Sequence, residues 1–97
     1  MEENLKLYLR TMISNSGSDL HLKAGSQVRV RIHGVLKVLG QDALSAEMMD
    51  KLAQEITTAE QYEKLKTERN RDFTYLIGNE NGFRVNFFFK SAVLMVV

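Results

Sequence analysis

The sequence predicts an α+β domain: a mostly antiparallel sheet of about five to six strands accompanied by three helices. Two observations predict it. Apolar residues recur at helical spacing near the amino end and again in the middle of the chain, and they alternate with polar residues in two blocks, one between these helical stretches and one after them.

Leu5, Tyr8, Leu9, Met12 and Ile13 form the first apolar stripe, which makes the first dozen residues an amphipathic helix ended by Ser14-Asn15-Ser16-Gly17. From Ser18 the period drops to that of half-buried strands. Leu20 and Leu22 alternate with Asp19, His21 and Lys23, and Val28, Val30 and Ile32 alternate with Arg29, Arg31 and His33. His33-Gly34 supplies a tight turn, because glycine tolerates positive φ, and Val35 to Leu39 return as a third strand. Ser45 then caps a helix whose stripe is Met48, Met49, Leu52, Ala53 and Ile56. Thr58 with Gln61 fits a capping box for the next helix, where Tyr62 and Leu65 face inward and Glu60, Glu63, Lys64, Lys66, Glu68 and Arg69 face water. Phe73, Tyr75 and Ile77 alternate as a strand, residues Gly78 to Gly82 read as a loop, and Phe83, Val85, Phe87 and Phe89 alternate as another strand. A sixth strand occupies Ala92-Val93-Leu94-Met95-Val96-Val97, and such an apolar strand invites edge pairing if left open.

The 97 residues have a one-domain length, enough to bury well over half of the unfolded chain's surface. With 44% hydrophobic and 26% charged residues, neither disorder nor a membrane span is indicated. Thirteen basic against twelve acidic residues leave a net charge of +1, so there is no global electrostatic case for nucleic acid or an anionic membrane. The lack of cysteine removes disulfides and thiolate metal sites, and the amino end has no basic flank or apolar core of a signal peptide; a cytoplasmic location is expected.

Three segments carry a family resemblance: Gly17-Ser18-Asp19-Leu20-His21-Leu22, then Arg31-Ile32-His33-Gly34-Val35-Leu36, then Asp72-Phe73-Thr74-Tyr75 with Gly82-Phe83-Arg84-Val85-Asn86. In order and separation they resemble the G-S-D-L-H-L, R-x-x-G-x-L, D-F-S-Y and R-F-R-V-N segments of type IV pilus retraction ATPases, the PilT and PilU group of the secretion ATPase superfamily. The resemblance spans nearly the whole chain. It implies a PAS-like amino-terminal domain over residues 1–97, cut before a carboxy-terminal ATPase domain. That second domain's phosphate loop, G-x-x-x-x-G-K-[ST], occurs nowhere here, so this chain by itself is not expected to hydrolyse ATP and needs no cofactor. For the parent protein the resemblance implies ATP and Mg2+, a cytoplasmic homohexamer at the inner-membrane pilus machinery, twitching motility by pilus retraction, and packing of this domain on the ATPase domain of its own or a neighbouring subunit. Departures from the pattern are Gly82 in place of the first arginine of R-F-R, Phe89-Lys90-Ser91 where the PilT type has Arg-Gln-Arg, and Ser26-Gln27 in place of Pro-Pro. The Phe88-Phe89 pair is closer to the PilU type.

Arg84 is the candidate that the resemblance implies for nucleotide phosphate contact, a task suited to a guanidinium fork. Its alternative is a surface ion pair on the exposed sheet face. Asp19 and His21 share a strand face and could form a proton-transfer pair or part of a metal site, but two ligands are too few and no metal is expected. A structural role is favoured, with Asp19 a cap, His21 hydrogen-bonded across the sheet and Gly34 the turn. Arg29, Arg31, His33 and Lys37 read as a basic stripe on the polar face of two strands, better suited to a solvated face or a subunit contact than to nucleic acid. The alternatives to the motor domain are a free-standing α+β module that senses a small ligand and a small nucleic-acid-binding domain.

Overall fold

The computed structural model describes residues 2–68, 70–77, 81–88 and 90–97. Its elements are α1 (Glu2–Ser14), β1 (Gly17–Lys23), β2 (Gln27–Ile32), β3 (Val35–Ala43), α2 (Ala46–Ile56), α3 (Ala59–Thr67), β4 (Asn70–Ile77), β5 (Asn81–Phe88) and β6 (Ser91–Val96). The α+β class and the order of elements are as the sequence predicts.

The strands form one sheet in the order β3-β2-β1-β6-β5-β4, antiparallel at every junction. Two meanders, β1-β2-β3 and β4-β5-β6, therefore meet at β1 and β6. Leu20 lies opposite Leu94 and Leu22 opposite Ala92, and all four are no more than 1% exposed. The apolar run that looked like an open edge from the sequence is an interior strand, paired on both sides. Its hydrophobicity is what a strand at the centre of a sheet requires.

Every fully buried strand residue has the parity of Leu20: Leu22, Val28, Val30, Phe83, Val85, Ala92 and Leu94 share one face. They form a single cluster with Leu5, Leu9 and Met12 of α1 and Met49, Leu52, Ala53 and Ile56 of α2. Each of these side chains larger than alanine contributes roughly 1.5 to 3 kcal/mol by leaving water. All three helices thus cover one face of the sheet and the other is open. Ile13, expected in the inward stripe, is 36% exposed because it lies one residue beyond Met12, about 100° further round the helix. Tyr62 and Leu65 are only half-buried, and α3 has no fully buried residue.

Local chemistry explains the helix ends. The Ser45 hydroxyl accepts from the Met48 N–H, and Thr58 and Gln61 form the reciprocal capping box that their spacing predicts. The Tyr62 hydroxyl donates to Asp50 at 2.6 Å, pinning α3 to α2, and Lys66 sits over the Tyr62 ring at 4.9 Å. His33 and Gly34 both have positive φ, 50° and 79°, the conformation of a two-residue hairpin.

Three boundaries differ from expectation. β3 runs to Ala43 rather than Leu39, because pairing resumes beyond an irregularity with Ala43 opposite Gln27. Asn81 and Gly82 belong to β5, not to a loop, since they pair with Ile77 and Leu76. Gly17 opens β1 instead of merely ending α1. The loop residues Gly78 to Glu80, Arg69 and Phe89 lie outside the described residues. Among the described residues no helix is long and apolar enough to cross a membrane.

Gly17 begins the first motif for a steric reason. A Cβ there would lie 2.6 Å from Met12 Cγ and 3.1 Å from both the Arg31 and Met12 carbonyl oxygens. Met12 is fully buried and has little room to yield. Gly17→Ala is therefore expected to lower unfolding stability by about 1 to 3 kcal/mol, against about 2 to 5 kcal/mol for the cavity mutant Leu94→Ala. Urea titrations read both; an unchanged midpoint for Gly17→Ala would show that Met12 swings aside without cost.

Candidate functional site

The open face of the sheet carries the motif residues in two rows read off the strand register. One row runs Thr74, Arg84, Met95, Asp19, Arg31 and Leu36 from β4 to β3. The next runs Asp72, Asn86, Val93, His21, Arg29 and Val38. Side chains of one parity in neighbouring strands stand close enough to interact, so these rows are the site's skeleton.

At the centre Asp19 gathers three donors. His21 Nε2 contacts its Oδ2, the Ser18 hydroxyl donates to Oδ1 at 2.6 Å, and Arg31 Nε approaches Oδ2 at 3.4 Å. Arg31 also donates through Nη1 to the Gly34 carbonyl at 3.2 Å. One guanidinium thus ties the first motif, on β1, to the turn of the second. Asp19 is neither a helix cap nor a free base, and His21 bonds along its own strand instead of across the sheet, because residues two apart on a strand project from the same face. The contact of Arg31 with Asp19 has no signal in the sequence except the fixed separation of the two motifs, and the bond to Gly34 none except the spacing within the second.

Partial burial pushes the Asp19 carboxyl up, but hydrogen bonds from Ser18 and His21 and the charges of His21 and Arg31 outweigh it, so the group is held below its ordinary value of 3.8. A carboxylate so engaged is poorly suited to abstracting a proton. Among the described residues no group of three or more His, Asp, Glu or Cys could hold a metal ion.

The basic stripe is divided by the register. Arg29 and Arg31 point to the open face; Lys37 lies opposite Val30 and so has the parity of the helix-covered face, at the edge where β3 outruns the helices. His33 is in the turn. Arg31 is already committed to Asp19, which leaves Arg29 as the exposed cation of the four on the open face of the sheet.

Arg84 is exposed on the open face between Thr74 and Met95 and makes no ion pair among the described residues. Asp19 shares its row but is two strand spacings away, roughly 10 Å. Among the described residues the surface-pair alternative for Arg84 thus has no acidic partner.

A depressed carboxyl pKa contributes stability that is present above the unfolded-state value and lost as pH falls through the folded one. Asp19→Asn is therefore expected to destabilise the chain near neutral pH. The difference should shrink as pH drops through and below 3.8, where the wild-type carboxyl becomes protonated in both states. Chemical denaturation over a pH series measures it, and a difference that stays constant with pH would show that Asp19 acts by shape alone.

No protein-family model and no curated protein matches this sequence. Solved structures do match its fold. The chain is similar to the crystal structure of the pilus retraction motor PilT with bound ADP, at TM-score 0.81 and 28% identity over 91% of this chain and 27% of that one. It is also similar to the ATPase DotB of Legionella pneumophila, at TM-score 0.84 and 18% identity over 100% of this chain and 29% of that one. DotB of Yersinia pseudotuberculosis gives a TM-score of 0.82 and 16% identity over 100% of this chain and 30% of that one. The chain spans less than a third of the length of the structures it matches. Motifs and fold together fit this chain to the amino-terminal domain of the secretion ATPase superfamily.

Proposed function

We propose that this chain is the amino-terminal interface and regulatory domain of a type IV pilus retraction ATPase. The observation that carries the reading is the likeness to the PilT motor over 91% of the chain, together with the matched motif segments. On this reading residues 1–97 precede a catalytic domain that binds ATP and Mg2+, the parent protein is a cytoplasmic homohexamer working at the inner-membrane pilus machinery, and this domain packs on the catalytic domain of its own or a neighbouring subunit.

The division of the sheet supports such a role. One face is consumed by the core; the other presents charged and apolar groups on a rigid strand framework, which is how an interface domain holds side chains toward a partner. Arg84 is the group proposed to reach nucleotide phosphates across the boundary. It is exposed, has no acidic partner among the described residues and is permanently charged. The alternative of a small-ligand sensor is less well supported, since the centre of the space between sheet and helices is filled by the fully buried Leu5, Leu9, Met12, Leu20, Leu52 and Phe83, and the cleft of about 170 Å³ between α2, α3 and Phe87 lies at its margin.

Two measurements test the reading. The 97-residue chain alone is expected to show no magnesium-dependent phosphate release above a heat-killed control. In the full-length protein Arg84→Ala should lower ATP turnover roughly tenfold to hundredfold, the worth of one shielded charge-assisted bond, while changing stability by less than about 0.5 kcal/mol. Arg84→Lys should rescue only part of the loss, because an ammonium lacks the bidentate fork. Unchanged turnover and nucleotide affinity in Arg84→Ala would remove this chain from the chemistry.

A further inference from the structure

The open face holds a second feature, away from Arg84. A half-open cleft of about 350 Å³ crosses the sheet, lined by side chains that include His21, Lys23, Arg29, Leu36, Phe88 and Val93. Lys23 and Arg29 are exposed and have no acidic partner among the described residues. Among the described residues no carboxylate lines the cleft. The two that the register places on this face are engaged elsewhere: Asp19 by Ser18, His21 and Arg31, and Asp72 by the Asn86 amide. The apolar members are exposed where a solvated sheet face would carry polar residues, Leu36 at 43% and Phe88 at 45%, with Val38 beside Arg29 at 52%. Leu36 and Phe88 stand on strands four spacings apart, about 19 Å, so the cleft is a strip long enough for an extended segment and too open to enclose a small molecule.

We infer that this strip is a docking surface for an acidic protein segment bearing an apolar side chain. Lys23 and Arg29 would face its carboxylates, and Leu36, Val93 and Phe88 would seat the apolar group. Charge complementarity selects the occupant: permanent cations without internal partners attract acid and repel base, while the exposed apolar groups gain only if the partner brings one of its own. A phosphate backbone satisfies the cations and leaves the apolar groups without partners. The inference goes beyond the nucleotide reading, since Arg84 does not line the cleft.

The test uses the isotope-labelled 97-residue chain and four probes: a short synthetic peptide in which glutamates flank leucines, its counterpart with glycines for leucines, its counterpart with lysines for glutamates, and single-stranded RNA. The acidic peptide is expected to shift the amide signals of His21, Lys23, Arg29, Leu36 and Val93, to weaken with added salt, and to bind better than the lysine peptide. Lys23→Ala with Arg29→Ala should weaken it about tenfold. Leu36→Ser should abolish the preference for leucine over glycine in the peptide. Lys51→Ala, on α2, and Arg84→Ala should leave the affinity unchanged, so failure here is separable from failure of the nucleotide contact. Equal binding of both peptides, shifts confined to other residues, or RNA binding more tightly than the acidic peptide through Lys23 and Arg29 would each overturn the inference.

Discussion

The pairing of β1 with β6 is the constraint on which the rest of the structure depends. Each meander is local, closed by short turns, and could form its hydrogen bonds from neighbouring residues. Neither has a complete hydrophobic face alone. Only when Leu20 and Leu22 come opposite Leu94 and Ala92, 74 and 70 residues away, do the two half-sheets present one continuous surface for α1 and α2 to cover. Because side chains alternate, a one-residue slip in this junction would send Asp19 and His21 into the core and Leu20 to solvent. The same register therefore sets both the core and the open face.

That coupling gives the first motif a physical reading. Gly17 is small because α1 leaves the sheet there with Met12 pressed against it. Asp19 and Arg31 are cross-strand partners whose contact, extended to the Gly34 carbonyl, holds the hairpin turn against β1. Leu20 and Leu22 are core. Of the six residues Gly17 to Leu22, the four at Gly17, Asp19, Leu20 and Leu22 serve architecture and His21 serves it by bonding to Asp19. The segment that opens the resemblance is thus a structural lock, and the exposed cations without an acidic partner among the described residues, Arg29, Lys23 and Arg84, lie beside it.

The open face is polar at its centre and apolar toward its margins. At its centre Arg31 pairs with Asp19 across one strand spacing, while Leu36 and Val38 on β3 and Phe88 and Leu76 on β5 and β4 remain exposed. Such a distribution separates tasks. Arg84 shares a row with Leu36 but stands on β5, four strands away, and does not line the strip that joins Lys23 to Leu36.

Periodicity was enough to determine the elements, because burial of one face imposes its period on the sequence: helical at Leu5, Leu9 and Met12, alternating at Leu20 and Leu22, with the caps at Ser45 and Thr58 marked by their own side chains. The motif segments likewise pointed to Asp19, His21 and Arg84 before any coordinates, and the solved structures agree on the fold. What the one-dimensional pattern could not carry was partnership between distant strands. It left the apolar run 92–97 looking like an exposed edge, grouped Lys37 with Arg29 and Arg31, and gave Asp19 a cap's role; each depends on which residue lies opposite across the sheet. Strand order and register follow from the summed burial of the whole chain, and that sum exists only in three dimensions.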